Sequence, residues 1–364
     1  MAPPLGIYVH VPFCAMRCGY CDFNTYVSTQ GRAGFAGALA LELEQARPQL
    51  GDRPADTVFI GGGTPSLLDP AELRTILAAI DLAPGAEVTS EANPESATRG
   101  WLAAAREAGV NRISFGMQSA LPHVLAELDR VHTPGRVAEA VADARAAGFE
   151  RISVDLIYGA HGESDADWEA SVRAALELEP EHVSAYGLVV EPGTRLHARV
   201  RAGEVAAPDD DAMARRYELA DELFSAAGLP WYEISNWGEP CRHNLGYWRG
   251  FDWWGAGPGA HSHLDGKRWW NLKRPLAWAT RVRNGVSPEA GSEQLDAETR
   301  QFERVMLRVR LAEGLDPAEL DDGGRAEAER MIAEGLLEAR ESPYLALSLR
   351  GRLLADAVAR RLTP

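Results

Sequence analysis

Short apolar runs alternate with longer stretches of helical spacing through the first two thirds of the chain. Six runs read as strands: Gly6 to Val11, Thr57 to Ile60, Glu87 to Glu91, Arg112 to Met117, Arg151 to Ile157 and His182 to Val189. A helical pattern follows each, so the alternation predicts βαβ units on a parallel sheet. Asp69-Pro70 and Thr133-Pro134 mark helix starts, an N-cap ahead of a proline whose missing N–H costs nothing at the first helical position. Gly109, Gly148 and Gly228 mark helix ends. Six units suit either an open doubly wound sheet or an incomplete (β/α)6 barrel, and periodicity does not separate the two. In both, chemistry gathers at the C-terminal ends of the strands. Polar and glycine-rich elements fall there: Cys14 to Cys21 after the first strand, Gly61 to Pro65 after the second, Glu91 after the third and Gln118 after the fourth.

From about Pro230 to Ala279 the alternation stops, and eight of the ten Trp crowd together: Trp231, Trp237, Trp248, Trp253, Trp254, Trp269, Trp270 and Trp278. From about Ser292 the pattern predicts helices, a strand-like segment from Ser342 to Leu349 and a last helix, a small winged-helix-like unit. The expected division is 1–229 for the α/β core, 230–291 for the Trp-rich extension and 292–364 for the C-terminal unit.

Composition narrows the class of function. The 364 residues, 46% hydrophobic and 25% charged, suffice for one large α/β unit and a smaller appended piece. A net charge of −16 repels phosphate backbones and anionic lipid, which argues against nucleic acid as a partner. No run approaches the roughly 20 apolar residues of a membrane span. The N-terminal stretch lacks a basic region ahead of a long apolar one, so a cytoplasmic location is expected. Of only four Cys, three lie between Cys14 and Cys21, and such spacing in a large reducing-compartment protein points to metal.

Cys14, Cys18 and Cys21 stand on a loop directly after a predicted strand. Structural zinc takes four closed ligands and no fourth Cys is near, which leaves a zinc site completed by a distant His, or three incidental thiols, as the alternatives. A [4Fe–4S] cluster held by three thiolates instead keeps one iron open to an exchangeable ligand. S-adenosylmethionine can fill that position through its amino and carboxylate groups. An electron from the cluster then breaks its C5′–S bond and releases a 5′-deoxyadenosyl radical.

With this spacing the chain resembles the radical S-adenosylmethionine superfamily, which implies a barrel of βα units. IYVHVPFC, CGYCDF, GGGTPS at Gly61 to Ser66, EANPE at Glu91 to Glu95, SFGMQS at Ser114 to Ser119 and SVDLIYG at Ser153 to Gly159 are similar to the oxygen-independent coproporphyrinogen III oxidase group. Roles beside that resemblance follow from chemistry. Gly61, Gly62 and Gly63 permit close backbone approach to the ligand's amino group, with Thr64 in the turn that follows. Arg130 suits the methionine carboxylate, and Gln118 and Asp155 suit the ribose hydroxyls. Glu91 and Asp155 end strands that look buried, where an unpaired carboxylate is costly, so both are expected to meet ligand. Tyr8 and Tyr20 flank the cluster and can pack on adenine.

Two features resemble the heme-chaperone branch of that group more than its oxidase. The oxidase carries a fourth Cys where Phe23 stands here, and His243-Asn244-Leu245-Gly246-Tyr247-Trp248 matches the HNxxYW pattern associated with heme in the chaperones. The resemblance implies heme binding by His243, Asn244, Tyr247 and Trp248, with transfer to an acceptor protein such as a membrane respiratory enzyme. His243 suits iron, Tyr247 and Trp248 suit the macrocycle, and Arg242, Arg249, Lys267 and Arg268 suit the propionates. Cys241, His261 and His263 are weaker candidates as iron ligands. The bland alternative for this segment is an aromatic cap packed on the barrel. The enzymatic alternative is oxygen-independent coproporphyrinogen III dehydrogenase, which takes a β-hydrogen from a propionate and leaves a vinyl group and carbon dioxide.

Overall fold

The computed structural model describes residues 4–130, 132–339 and 344–363, so Ser342, the expected start of the C-terminal strand, lies outside the described residues. The six predicted strands form as β1 (Leu5–Val11), β2 (Ala55–Gly62), β3 (Leu82–Ala92), β4 (Arg112–Gln118), β5 (Ile152–Tyr158) and β6 (His182–Gly187). They pair in chain order, every ladder parallel. Each crossover therefore moves one strand along in the same direction, and right-handed crossovers place all the helices on one face. A doubly wound sheet would reverse direction midway, so the strand order decides for the barrel type.

The Trp-rich extension continues this sheet at both edges. β7 (Trp231–Glu233) and β8 (Asn236–Gly238) add antiparallel to β6. β9 (Asp252–Ala256) runs parallel to β1, followed outward by β10 (His261–Leu264), β11 (Lys267–Asn271) and β12 (Glu289–Gln294). The described residues thus form one twelve-stranded sheet that ends on β12 and β7 and does not close.

Alternation along the strands separates two faces. Ile7, Val9, Val58, Ile60, Val88, Ile113, Phe115, Ile152, Val154, Leu156 and Val183 are buried in one apolar core with Leu39, Leu43, Leu73, Leu102, Val141 and Val172 of the helices. The other face is polar. Ladder partners place Thr89 between Phe59 and Arg112, Ser114 between Glu91 and Ser153, and Asp155 between Gly116 and Ser184. Barrel interiors are ordinarily filled by branched apolar side chains, so a polar interior is one kept for a ligand. Residues of all six strands, from Tyr8 to Tyr186, line one cavity, which requires the sheet to curve into a trough.

The Arg242–Trp248 helix lies across the N-terminal end of this trough. Its His243 packs against Gly6 and Thr57, near the starts of β1 and β2, and a Cβ on Gly6 would stand 3.1 Å from the imidazole. Gly6 is therefore what admits this floor. The capping expectations hold in part: Asp69 makes a reciprocal box with Glu72, while Thr133 caps without a side-chain bond. Gly109, Gly148 and Gly228 all take positive φ. Helices Ala297–Arg308, Asp322–Ala333 and Ala355–Leu362 share a separate apolar core with the hairpin Leu337–Ala339 and Leu345–Leu347. Arg352 ties this unit to the barrel, bonding Asp221 at 2.6 and 2.7 Å and standing 4.4 Å over the Trp231 ring.

Candidate functional site

A cavity of about 630 Å³ fills the trough, with the cysteine loop at its C-terminal mouth and the Arg242–Trp248 helix at its floor. Cys14, Cys18 and Cys21 are free, half-buried and line this one cavity. Burial pushes the Cys14 and Cys21 thiols up, and the neighbouring sulfurs push the same way. Three thiols that repel one another when ionised suit a cationic cluster, which deprotonates its ligands. Among the described residues no set of three or more His, Cys, Asp or Glu side chains converges tightly enough for a single ion. In a cluster each thiolate binds a different iron, so looser convergence is what it requires.

The glycine run builds the wall beside the loop. Gly63 N–H donates to Val11 O at 2.7 Å and Thr64 N–H to Phe13 O at 2.8 Å, so the chain after β2 pairs with the chain just before Cys14. A Cβ on Gly63 would lie 2.6 Å from Phe13 O, and one on Gly62, whose φ is +108°, 2.4 Å from the His10 ring. Both contacts exclude any side chain, independently of a ligand role. Gly62 N–H donates to Glu91 Oε2 at 3.0 Å.

Glu91 and Asp155 face the same space. Burial, then the charge of Asp155, pushes the Glu91 carboxyl up to about 7. Burial also raises Asp155, against the bonds from Ser184 and from Ser114, whose hydroxyl lies 3.0 Å away. Two carboxyls held above their ordinary range make the site one that gains from a cationic ligand. Gln118 ends β4 with φ of +65°, a left-handed conformation that is costly for a side-chain-bearing residue and concentrates at functional positions. Arg130 donates to Gly116 O at 2.7 Å and reaches to 3.8 Å of Cys18 Sγ, and its buried Nε has no partner among the described residues. Tyr8, hydrogen-bonded to His10 at 2.9 Å, and Tyr20 complete the lining. Apart from Gly61, all the residues expected to meet cluster or S-adenosylmethionine thus share one cavity.

The expected heme residues divide. His243, Asn244 and Tyr247 line the floor, and His243 and Tyr247 also line a second cavity of about 260 Å³ below it, with Leu5, Asp56, Phe251 and Trp253. The helix is a partition between the two. His243 is 3% exposed, stacked on Phe59 with ring centroids 5.5 Å apart, and both its nitrogens are engaged: Nδ1 with Thr57 Oγ1 and Nε2 with the Tyr247 hydroxyl, each at 2.8 Å. Burial lowers its pKa to about 3, so the imidazole is neutral. Trp248 lines neither cavity and packs against Tyr232, Leu245 and Leu311.

The four cations expected near propionates already have partners. Arg242 donates to Gly85 O at 2.9 Å, Arg249 pairs with Glu313, Lys267 with Glu289, and Arg268 with Glu293 and Glu303. Cys241 is buried, its thiol is raised to about 12 by burial and Glu87, and it donates to Glu87 at 3.5 Å, so it stays protonated. His261 and His263 lie on β10 against Trp270 and Trp253, away from the trough.

Sequence reasoning missed the polar floor: Glu87, Thr89, Arg112 and His182. The signal was there, since polar residues recur at every second position of otherwise apolar strands in EVTSE, RIS and HVS.

The radical SAM superfamily model matches residues 8–175. Heme chaperone HemW of Mycobacterium tuberculosis is 53% identical over 370 residues, covering 99% of this chain and 95% of that protein. Heme chaperone HemW of Escherichia coli is 33% identical, covering 98% and 97%. Coproporphyrinogen III oxidase (HemN) from Escherichia coli, described as a radical SAM enzyme, superposes with a TM-score of 0.84 at 19% identity, over 100% of this chain and 90% of that one. That likeness concerns the fold, the curved parallel sheet above all. By the extent of these matches the chain belongs to the radical SAM superfamily and, within it, to the family of the heme chaperones HemW.

Proposed function

We propose that the protein is a heme chaperone: it carries a [4Fe–4S] cluster and S-adenosylmethionine at the trough mouth, binds heme at the floor helix and passes it to an acceptor protein. The observation that carries this reading is the extent of its likeness to the heme chaperones, which runs the length of the chain and so includes the floor helix. Within it, residues 230–291 act as the heme-binding extension of a 1–229 core and 292–364 as the C-terminal unit, with β12 carrying the extension's sheet across that boundary to Gln294.

Cys14, Cys18 and Cys21 would hold the cluster, whose open iron would supply an electron to the bound sulfonium. The chain's own part is to orient and neutralise. Arg130 would meet the methionine carboxylate with its unpartnered Nε–H face, and Gln118 and Asp155 the ribose hydroxyls. Glu91, bonded to Gly62, would face the ligand's ammonium beside Gly63 and Thr64, and Tyr8 and Tyr20 would close on the adenine. At the other end, His243 Nε2 would ligate heme iron once the Tyr247 hydroxyl swings away, while Asn244, Tyr247 and Trp248 border the macrocycle. Reaching Trp248 requires the floor helix to shift from its packing on Leu311.

Two ends of one barrel thus serve two cofactors, and binding at one is separable from binding at the other. No helix among the described residues is long and apolar enough to cross a membrane. We assign the chaperone to the cytoplasm, delivering to respiratory enzymes at the membrane. The test is a heme titration of anaerobically reconstituted protein beside a Cys14→Ser variant. Saturable binding of one heme per chain in both supports the reading, and absence of saturable binding to the intact protein removes it. The dehydrogenase reading is disfavoured by Phe23, 58% exposed at the cavity where that enzyme group has a fourth Cys.

A further inference from the structure

Between the residues assigned to S-adenosylmethionine and the floor helix, three side chains each keep one polar atom without a hydrogen-bond partner among the described residues. Thr89 on β3, Arg112 on β4 and His182 on β6 line the trough and are 1, 1 and 3% exposed. Thr89 and Arg112 are ladder partners, and the intervening β5 presents only the small Ser153 beside His182. Thr89 Oγ1, Arg112 Nη1 and His182 Nδ1 are buried without a hydrogen-bond partner among the described residues. Buried polar groups are nearly always paired, so three orphans on one wall need a common explanation.

Their neighbours fix which of these atoms donate. Arg112 Nη2 donates to Glu239 O at 3.0 Å, while Nη1 stands 3.8 Å from Glu87 Oε2, beyond a hydrogen bond. Glu87 uses Oε1 on the His243 N–H at 3.0 Å and the Cys241 thiol at 3.5 Å. The Tyr232 hydroxyl accepts from Cys241 N–H at 3.4 Å and from Asn244 Nδ2 at 3.3 Å, so its own proton goes to His182 Nε2 at 2.9 Å. His182 Nδ1 therefore carries the ring hydrogen. The wall presents a guanidinium N–H, an imidazole N–H and a hydroxyl, and no unpartnered anion is among the three.

We propose that this wall binds a small organic carboxylate, a second ligand seated in the trough beneath S-adenosylmethionine. Two oxygens match two N–H donors and the Thr89 hydroxyl, and the Arg112 charge makes the bonds charge-assisted. The Tyr8 and Phe59 rings, stacked with centroids 6.4 Å apart, provide an apolar flank for the ligand's body. The His243–Tyr247 pair closes the space below, which limits the ligand to a few carbons. The site is distinct from the heme region: Arg112 keeps its ion pair with Glu87 at 3.8 Å, and Nη1 still lacks a hydrogen-bond partner among the described residues.

Butyrate is the probe, titrated calorimetrically and anaerobically into cluster-reconstituted protein with S-adenosylmethionine present. One butyrate per chain should bind saturably, and butyramide, of the same shape without charge, at least about tenfold more weakly. Arg112→Gln should weaken butyrate about tenfold or more, and the near-isosteric Thr89→Val about threefold with the thermal midpoint and heme titration unchanged. Should Arg112→Gln not fold, Thr89→Val and butyramide decide. No saturable heat with the intact protein, equal affinity in Thr89→Val, or a crystal structure at saturating butyrate with only water on the three orphaned atoms would overturn the proposal.

Discussion

The occupied imidazole makes a prediction that separates a heme ligand from a structural histidine. Neutral His243 offers iron a lone pair only on the nitrogen without hydrogen. If Nδ1–H donates to Thr57 Oγ1, the Nε2 lone pair is the one the Tyr247 hydroxyl now uses, at 2.8 Å. Iron must displace that hydroxyl. A buried neutral hydrogen bond is worth about 0.5–1.5 kcal/mol net, so heme binding gives up that amount before its own ligation counts. Tyr247→Phe removes the competitor and keeps the ring that stands edge-on to His243, with centroids 4.9 Å apart. Heme should therefore bind the Tyr247→Phe variant about two- to tenfold more tightly. His243→Ala should weaken binding by about 1–3 kcal/mol and shift the Soret band. The assay is an anaerobic heme titration followed by absorbance, with the thermal midpoint of each apoprotein measured in parallel. If Tyr247→Phe weakens heme as much as His243→Ala does, the hydroxyl is not a competitor and ligation through Nε2 is wrong.

Replacing Cys14, Cys18 or Cys21 singly by Ser should abolish the full complement of iron and sulfide after reconstitution, and a variant that keeps it refutes the assignment. Glu91 is held near 7, so its charge develops as pH rises from about 6 to 8. S-adenosylmethionine, whose sulfonium and ammonium are cationic, should bind more tightly at pH 8 than at pH 6, by up to about tenfold, and Glu91→Gln should flatten that dependence. The same raised carboxyl favours the folded apoprotein below about pH 4.5, and that contribution is lost as pH rises through 7. Gly62→Ala should misplace the glycine run through the His10 contact and lower both thermal midpoint and S-adenosylmethionine affinity. Coproporphyrinogen III should not be converted under anaerobic reducing conditions, and protoporphyrinogen formation dependent on S-adenosylmethionine would restore the dehydrogenase reading.

Several features were legible in the chain itself because their causes are local. The spacing of Cys14, Cys18 and Cys21 is a property of one loop. The six strands and their helices follow from alternation, and Asp69 with Glu72 forms its cap within a single turn. Gly62 and Gly63 are expected to approach a ligand, and the groups that the structure places against them are the His10 ring and the Phe13 carbonyl. Long-range pairing decided the remainder. Periodicity left two sheet architectures open, and only the ladders from β1 through β6 choose between them. The cations Arg249 and Arg268 looked free because their partners Glu313 and Glu303 lie far along the chain. His243 and Trp248 stand in one six-residue motif, yet a helix turns its faces apart, so one reaches Thr57 inside the barrel and the other packs on Leu311. Residue type and spacing therefore determined what chemistry this protein can carry. Which groups remain free to perform it was decided by contacts between distant segments, because burial and hydrogen bonding are properties of the assembled interior.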